Sequence, residues 1–435
     1  MIRNLTALAL LLVINLAAAQ APLTLDEALR LGRQNNLQLK QQQLQRRIAE
    51  LEVAIKRGQL WPSLDASATT SYTDEIAKIE LPFTPPGFSN QIELGGHDRT
   101  DLAIGLRQPL FTGMRLRTQV DLAKTALQSE EARLVFLNQQ TALQVYRLFY
   151  QAQILKKERK IQEASRTRLS VQLDQTRNLF RAAQVMAYDT LQVYNQGLQI
   201  KIQMDQNQRD QRLIELQLAR LLDLSEIRPI AETDLSTPTE FRISLDSLKQ
   251  VAIRHRPELN SVRLGQRAAQ LTRKLARGSY FPEIGAEAKY HYAKPGLNQV
   301  ANEWMDYSTV GLNLQWNLWR WKQDRYRVQE AEVEYNRLTL AERELLRNIE
   351  FDVEKSWENA KFAFKQIHLT RQLLAQQQER YRIISAQQRE GVATTNDVIV
   401  AEADLTQAEL QVQRALIQYY LSQSEMLLAT GMIAE

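Results

Sequence analysis

Polar and apolar residues alternate along the last strand-like segment of the chain. Tyr307, Thr309, Gly311, Asn313, Gln315 and Asn317 form one parity, and Ser308, Val310, Leu312, Leu314, Trp316 and Leu318 the other. A two-residue period predicts a strand with two unlike faces. Ile284, Ala286, Ala288, Tyr290 and Tyr292 alternate with Glu287, Lys289 and His291 in the same way. Earlier in the chain, Leu64, Ala66, Ala68, Thr70 and Tyr72 predict a strand. Leu102, Ile104 and Leu106, set against Ala103, Gly105 and Arg107, predict its partner. About ten residues of apolar-out, polar-in alternation is the length and pattern of a tilted membrane strand. A half-buried soluble sheet alternates too. The aromatic residues Trp316, Trp319 and Trp321 around the end of the last strand favour a membrane interface. Polar loops are expected at about 74–99 and 293–306.

After each strand pair the period changes. No Pro lies between Pro109 and Pro229, and no Gly between Gly113 and Gly197. In the second half no Pro follows Pro295, and no Gly lies between Gly311 and Gly391. A helix over about 114–180 would be on the order of 100 Å long at 1.5 Å per residue. Leu346, Ile349, Val353, Trp357, Ala360, Phe364 and Ile367 step by three and four. Val398, Leu405, Val412 and Tyr419 are seven apart, as are Ala401, Ala408 and Ala415. Sustained heptads predict helices packed along their length, and an alanine row allows close approach. The first half is less regular, with Glu130 and Thr141 interrupting.

The two halves repeat. Leu23-Thr24-Leu25-Asp26-Glu27-Ala28 returns as Ile243-Ser244-Leu245-Asp246-Ser247-Leu248, and Gly58 to Pro62 returns as Gly278 to Pro282, at one offset of 220 residues. Ala152 and Ala360, and Asp189 and Asp397, keep a second offset of 208, so the first copy carries the longer strand-joining loop. Each copy is read as one helix, two strands and two long helices, with copies at 20–223 and 243–435 and a connector at 224–242. Thr24 with Glu27 makes a capping box for the first helix. Pro257 interrupts its counterpart in the second copy.

Arg3, the apolar run Leu5–Leu16 and Ala17-Ala18-Ala19 read as a cleaved export signal over 1–19. The run is short for a span of about 20 apolar residues. The chain has no cysteine, which excludes disulfides, Cys metal clusters and an acylated Cys. Formal net charge is +5, from 55 basic and 50 acidic residues that interleave along the chain, so no nucleic-acid partner is expected. His97, His255, His291 and His368 show no metal spacing, and no nucleophile elbow, phosphate loop or HExxH is present. Neither an enzyme nor a cofactor is expected.

Four strands cannot close around a lumen, and an open sheet in hydrocarbon would leave unpaired N–H and C=O groups. Several copies must therefore share one barrel. Two would give eight strands and a filled interior, and three would give twelve with room for a channel.

In order along the chain stand Leu25-Asp26-Glu27-Ala28-Leu29 with Asn35-Asn36, Gln108-Pro109-Leu110-Phe111-Thr112-Gly113, Arg256-Pro257-Glu258-Leu259, Gly391-Val392-Ala393-Thr394-Thr395-Asn396-Asp397-Val398-Ile399 and Leu427-Leu428-Ala429-Thr430-Gly431. With these the chain resembles the TolC-type outer-membrane efflux proteins over nearly all of its mature length. The resemblance implies a mainly α fold with a membrane β-barrel. A homotrimer would build a twelve-stranded barrel in outer-membrane lipid and a long periplasmic coiled-coil tunnel. It also implies docking to an inner-membrane pump through a periplasmic adaptor (a membrane fusion protein). Some positions depart: Leu37 where the family often has Pro, Ala183 where the first tip turn usually has Gly, and Trp321-Lys322 for a common Gly pair. Gln388 and Ala393 stand where the type member has its gate-locking Tyr and Arg.

The resemblance places gating and adaptor docking at the helix reversals, with Asp189, Gly391, Val392 and Asp397 as the candidates. A ring of such carboxylates in an oligomer would favour cations. Thr394 and Asp397 also form a capping box, which accounts for Asp397 equally well. Met186 provides no such box for Asp189, which favours the gate there, with service to the helix dipole as the alternative. Arg107, Glu287, Lys289 and His291 are the pore-lining candidates, with plain solvation of a wide pore the simpler reading. The expected function is a passive exit duct for small molecules. A duct for protein secretion shares every feature above, and a periplasmic coiled-coil scaffold or adaptor would show one helical hairpin where this chain shows two.

Overall fold

The computed structural model describes residues 22–83, 91–226, 228–235, 238–240, 243–300 and 302–433. The export signal expected over 1–19 lies outside the described residues. The elements are α1 (Leu25–Asn35), α2 (Leu37–Gly58), β1 (Ser63–Tyr72), β2 (Lys78–Glu80), β3 (Gln91–Glu93), β4 (Asp98–Phe111), α3 (Arg115–Arg181), α4 (Ala187–Leu221), α5 (Leu245–His255), α6 (Pro257–Gly278), β5 (Glu283–Lys294), β6 (Met305–Gln315), α7 (Gln323–Arg389) and α8 (Thr395–Ala429). The repeat holds to the residue in the helices. Those of the first copy return at the same boundaries, 220 residues on for α1 and α2 and 208 on for α3 and α4.

Two expectations need correction. The first helix of the first copy is not continuous: it breaks at Asn36 without any proline. Asn36 Oδ1 accepts from the Gln38 and Leu39 N–H groups at 3.0 and 3.2 Å, as an N-cap does. Its Nδ2 donates to the Leu221 carbonyl at 3.0 Å, which fixes the break to the end of α4. The loop at 74–99 is not wholly irregular either. It carries the antiparallel pair β2–β3, held by the Lys78–Glu93 ion pair at 3.0 Å. Three-residue strands are too short to show a period.

The chain divides into two compact units that cut across the copies. The first takes the chain up to Gln43, Arg133–Leu259 and everything from Glu344. Its core gathers Leu23, Ala28, Val145, Phe149, Leu218, Leu222, Ile230 and Ile417, with a second cluster around Leu248, Leu259, Ile349, Val353 and Met426. The stretch between copies belongs to this core. Leu23 and Ile230 form a parallel bridge, and Gln153 Nε2 donates to the Ala231 carbonyl at 2.6 Å.

The second unit, Leu44–Ala132 with Asn260–Arg343, contains the four-stranded antiparallel sheet β1-β4-β5-β6. The middle pair, β4 and β5, joins the two copies, and β1 and β6 are the edges. Each copy leaves the sheet for its long helix through two successive left-handed residues: Gly113 and Met114 (φ 59° and 65°), and Trp321 and Lys322 (φ 48° and 65°). The second pair keeps the turn without glycine, at about 1–3 kcal/mol for each strained residue. Arg115 and Glu283 form an ion pair beside the first turn. Among the described residues no helix is long and apolar enough to cross a membrane.

Candidate functional site

In the first unit the two helix reversals are one turn built twice. At the end of α3, Ala183 N–H donates to the Phe180 carbonyl and Gln184 N–H to the Leu179 carbonyl, both at 2.9 Å. At the end of α7, Gly391 N–H donates to Gln388 at 3.0 Å and Val392 N–H to Gln387 at 2.9 Å. Both are Schellman closures, which require a left-handed residue. Ala183 and Gly391 fill that place with φ 57° and 75°. Val392, Met186 and Tyr188 are exposed around the turns.

The following helices begin alike. Asp397 Oδ2 accepts from the Thr394 N–H at 2.9 Å and from its hydroxyl at 2.7 Å, while Thr394 Oγ1 accepts from the Asp397 N–H at 3.2 Å. The Thr394 hydroxyl and then its N–H hold the Asp397 carboxyl below the usual range. Asp189 does half of this. Its Oδ2 accepts from the Met186 N–H at 2.8 Å, a bond that needs only a backbone donor. The absence of Ser or Thr at 186 thus removes only the side-chain half of the box, because the carboxylate half does not depend on the residue at the cap. Gln388 is buried, accepting from Gln172 Nε2 at 2.9 Å and donating to Thr395 Oγ1 at 3.5 Å. Ala393 has no side-chain polar group to join this contact.

Sequence reasoning missed a charged seam further along the same helices. Ser165 Oγ donates to Glu402 Oε1 at 2.7 Å and Arg168 Nε to the same oxygen at 3.2 Å. Arg168 also binds Glu409 at 3.1 Å and Thr406 at 2.9 Å. Glu402 lies within the apolar heptads of α8 and is 2 % exposed. Its partners on α3 are more than 230 residues away, so no local spacing announces them.

In the second unit, register decides which strand side chains share a face. Arg107 pairs with Glu287, Gly105 with Lys289 and Ala103 with His291; Glu287, Lys289 and His291 then meet Gly311, Thr309 and Tyr307. On the opposite face Leu106, Ile104 and Leu102 meet Ala288, Tyr290 and Tyr292, which meet Val310, Ser308 and Asp306. The four pore-lining candidates thus stand on one face. Glu287 joins them, with Arg107 at 3.5 Å and Lys289 at 2.6 Å. His291 pairs with Asp101 at 3.1 Å, a residue the sequence did not single out. Among the described residues no group of three or more acidic or histidine side chains could hold a metal ion.

Residues 28–223 and 248–432 match the model of a family described as outer membrane efflux protein. No curated protein matches the sequence. Among solved structures, the fold is similar to the outer membrane protein VceC from Vibrio cholerae, at 16% identity and TM-score 0.78, over 94% of this chain and 96% of that one. It is similar to the CmeC outer membrane channel of Campylobacter jejuni at 14% identity and TM-score 0.78, over 94% and 85%. The open state of the Neisseria gonorrhoeae MtrE outer membrane channel gives 15% identity and TM-score 0.76, over 94% and 89%.

Proposed function

The chain belongs to the outer membrane efflux protein family, and on that footing we propose that it acts as a homotrimeric exit duct in the outer membrane. The observation that carries this reading is the strand register. It gathers the charged parity on one face and a mostly apolar parity on the other, in a sheet whose edges are β1 and β6. An open edge cannot stand in hydrocarbon, and closure edge to edge by three copies gives a barrel of about twelve strands with a wet lumen. Arg107, Glu287, Lys289 and His291 would line that lumen. Paired charges solvate a pore without giving it a strong sign, which suits passage of varied small molecules.

Transport through such a duct is passive, and the energy comes from an inner-membrane pump reached through a periplasmic adaptor. The exposed turns at Ala183 and Gly391–Val392 are the docking points for that adaptor. Asp189 and Asp397 stand at the same end, where carboxylates contributed by every copy would favour cations at the entrance. Reconstitution of the detergent-purified protein in planar bilayers tests the duct. Discrete, long-lived current steps support it. A protein that leaves the cell as a soluble monomer without detergent and carries no current overturns it.

A further inference from the structure

The four passages between the sheet and its helices repeat one order of side chains. Into the sheet, Arg57 in the last turn of α2 is followed by Trp61 before β1, and Arg277 in the last turn of α6 by Phe281 before β5. Out of the sheet, Phe111 at the end of β4 is followed by Arg117 in the first turn of α3, and Trp319 after β6 by Arg325 in the first turn of α7. The sets are twins: Arg57 and Trp61 return as Arg277 and Phe281 at the offset of 220, and Phe111 and Arg117 as Trp319 and Arg325 at 208. All four rings and all four arginines are exposed. The ring always stands nearer the strand and the arginine nearer the helix. Phe111 and Phe281 meet edge to face at 6.4 Å, so the ring layer crosses from one copy to the other.

Charge is sorted along the sheet in the same sense. Taken together, the ten residues adjoining each strand on the helix side hold ten Lys or Arg and two acids, Asp121 and Asp324. The loops at the other end of the sheet, 73–97 and 295–304, hold five acids and one base, Lys78. In the whole chain the two signs nearly balance, 55 to 50. Pairing sharpens the contrast. Lys56, Arg115, Arg273 and Arg327 are matched by Glu52, Glu283, Glu332 and Asp324. Arg57, Arg117, Arg277 and Arg325 have no acid partner among the described residues.

We propose that these four arginines form a collar that binds the phosphate groups of anionic phospholipids, in the leaflet that the sheet enters from its helix side. The proposal rests on the membrane-barrel reading and adds a lipid class and its contacts. Aromatic rings settle at the edge of the hydrocarbon. Arg57 and Trp61 are four residues apart through a helical turn, about 6 Å of rise at 1.5 Å per residue. A headgroup layer is about 5–8 Å deep, since a hydrocarbon core of about 30 Å lies in a bilayer of about 40–45 Å. Rings at the hydrocarbon edge therefore set the arginines at phosphate depth. There the guanidinium offers a fork of N–H donors that fits phosphate. An acidic protein surface would satisfy the arginines and leave the rings in water, whereas a lipid satisfies both layers.

Lipid probes test the collar on the full chain. The detergent-purified protein is placed in phosphatidylcholine bilayers with a trace of spin-labelled phosphatidylglycerol or, separately, of spin-labelled phosphatidylcholine. Electron spin resonance reads the fraction of probe held at the protein. At low salt the anionic probe should associate at least about threefold more strongly than the neutral one, and the ratio should fall toward one in about 1 M salt. Arg57→Gln, Arg117→Gln, Arg277→Gln and Arg325→Gln in one chain should abolish the preference. Arg166→Gln, Lys201→Gln, Arg347→Gln and Lys365→Gln, at exposed positions on the long helices, should leave it unchanged. Equal association of the two probes with the native chain overturns the collar and leaves the duct reading intact. So does a preference that the collar variant keeps, or one that glycerol phosphate at matched ionic strength removes, which would make the arginines a site for free phosphate. A chain that holds neither probe has not entered the bilayer, and overturns both readings. Should the fourfold collar variant not insert, the twin pairs Arg57→Gln with Arg277→Gln and Arg117→Gln with Arg325→Gln are made separately: a lowered ratio in each supports the collar, and a ratio that neither pair moves overturns it.

Discussion

Ala183 and Gly391 occupy the same backbone position in two copies of one turn, 208 residues apart, both left-handed and both closed by the same pair of hydrogen bonds. The left-handed region costs a residue with a Cβ about 1–2 kcal/mol. Glycine forfeits about 0.5–1 kcal/mol through its freer unfolded chain. Ala183→Gly should therefore tighten the first turn by somewhat under about 1 kcal/mol. Gly391→Ala should loosen the second by a similar amount, because a Cβ there meets nothing within 4 Å and only the backbone strain changes. Amide hydrogen exchange across 179–187 and 387–395 would show slowing in the first variant and acceleration in the second.

Asp189 and Asp397 each accept a backbone N–H at a helix start, and that role can be separated from a role in gating. Asparagine keeps an acceptor oxygen at the same reach and removes the charge. Asp189→Asn with Asp397→Asn should preserve exchange protection of the turns while cation preference in a planar bilayer falls. Asp189→Ala with Asp397→Ala should lose both and raise conductance. Unchanged ion preference in the Asn pair would leave capping as the whole role of these carboxylates.

Asn36 ends one helix and starts another, and its amide also holds the Leu221 carbonyl. Asn36→Ala removes an N-cap worth about 1 kcal/mol. It also leaves a partly buried carbonyl short of a donor, adding about 1–3 kcal/mol. Exchange at the Gln38 and Leu39 amides should rise first, since these are the two N–H groups it caps. Asn36→Asp should restore that protection and not the bond to Leu221, because a carboxylate accepts and cannot donate.

The architecture was legible wherever a period ran long. Alternation through Tyr307–Gln315 and heptads through Val398–Tyr419 each sum many weak preferences, although the alternation runs on to Leu318 and β6 stops at Gln315, and the doubling of the chain checked one copy against the other. What escaped was short or distant. The break at Asn36 rests on one amide, and the proline that marks it stands only in the second copy, at Pro257. β2 and β3 hold three residues each. The bond from Met186 N–H to Asp189 has no Ser or Thr at the cap to mark it in the sequence, because its donor is backbone. Arg168 and Glu402 meet across 234 residues, and an acid inside an apolar heptad gives no address for its partner.

Glu232, in the stretch between the copies, is gripped by Lys157 and Lys160, each at 2.8 Å, and these push its pKa down to about 2. The side chain is more than a third exposed, so the grip is screened by salt. A lowered carboxyl contributes in full above its unfolded pKa of about 4.3 and loses that contribution as pH falls toward 2. Protection of the Ala231–Leu235 amides, corrected for intrinsic exchange, should hold from pH 7 to about 4 and decline below. Glu232→Gln should lack the extra protection at pH 7 and converge with the native chain near pH 2. High salt should narrow the gap between them.

Leu312 and Asn313 are neighbours in β6 that the register sends to opposite faces, Leu312 beside Ala286 and Asn313 beside Gly285. If the mostly apolar face meets lipid, an arginine at Leu312 costs about 2–4 kcal/mol near the bilayer midplane. The same arginine at Asn313 enters a wet lumen and costs little. Leu312→Arg should then sharply reduce the folded protein recovered from outer membranes, with the shortfall in the insoluble or degraded fraction. Asn313→Arg should insert normally and shift ion preference toward anions. The two variants add the same side chain one residue apart, so composition, expression load and strand propensity are matched. Equal recovery of both would mean that neither face of the sheet sits in hydrocarbon. The reverse order would place the charged parity, with Glu287 and Lys289, outward, which hydrocarbon does not tolerate.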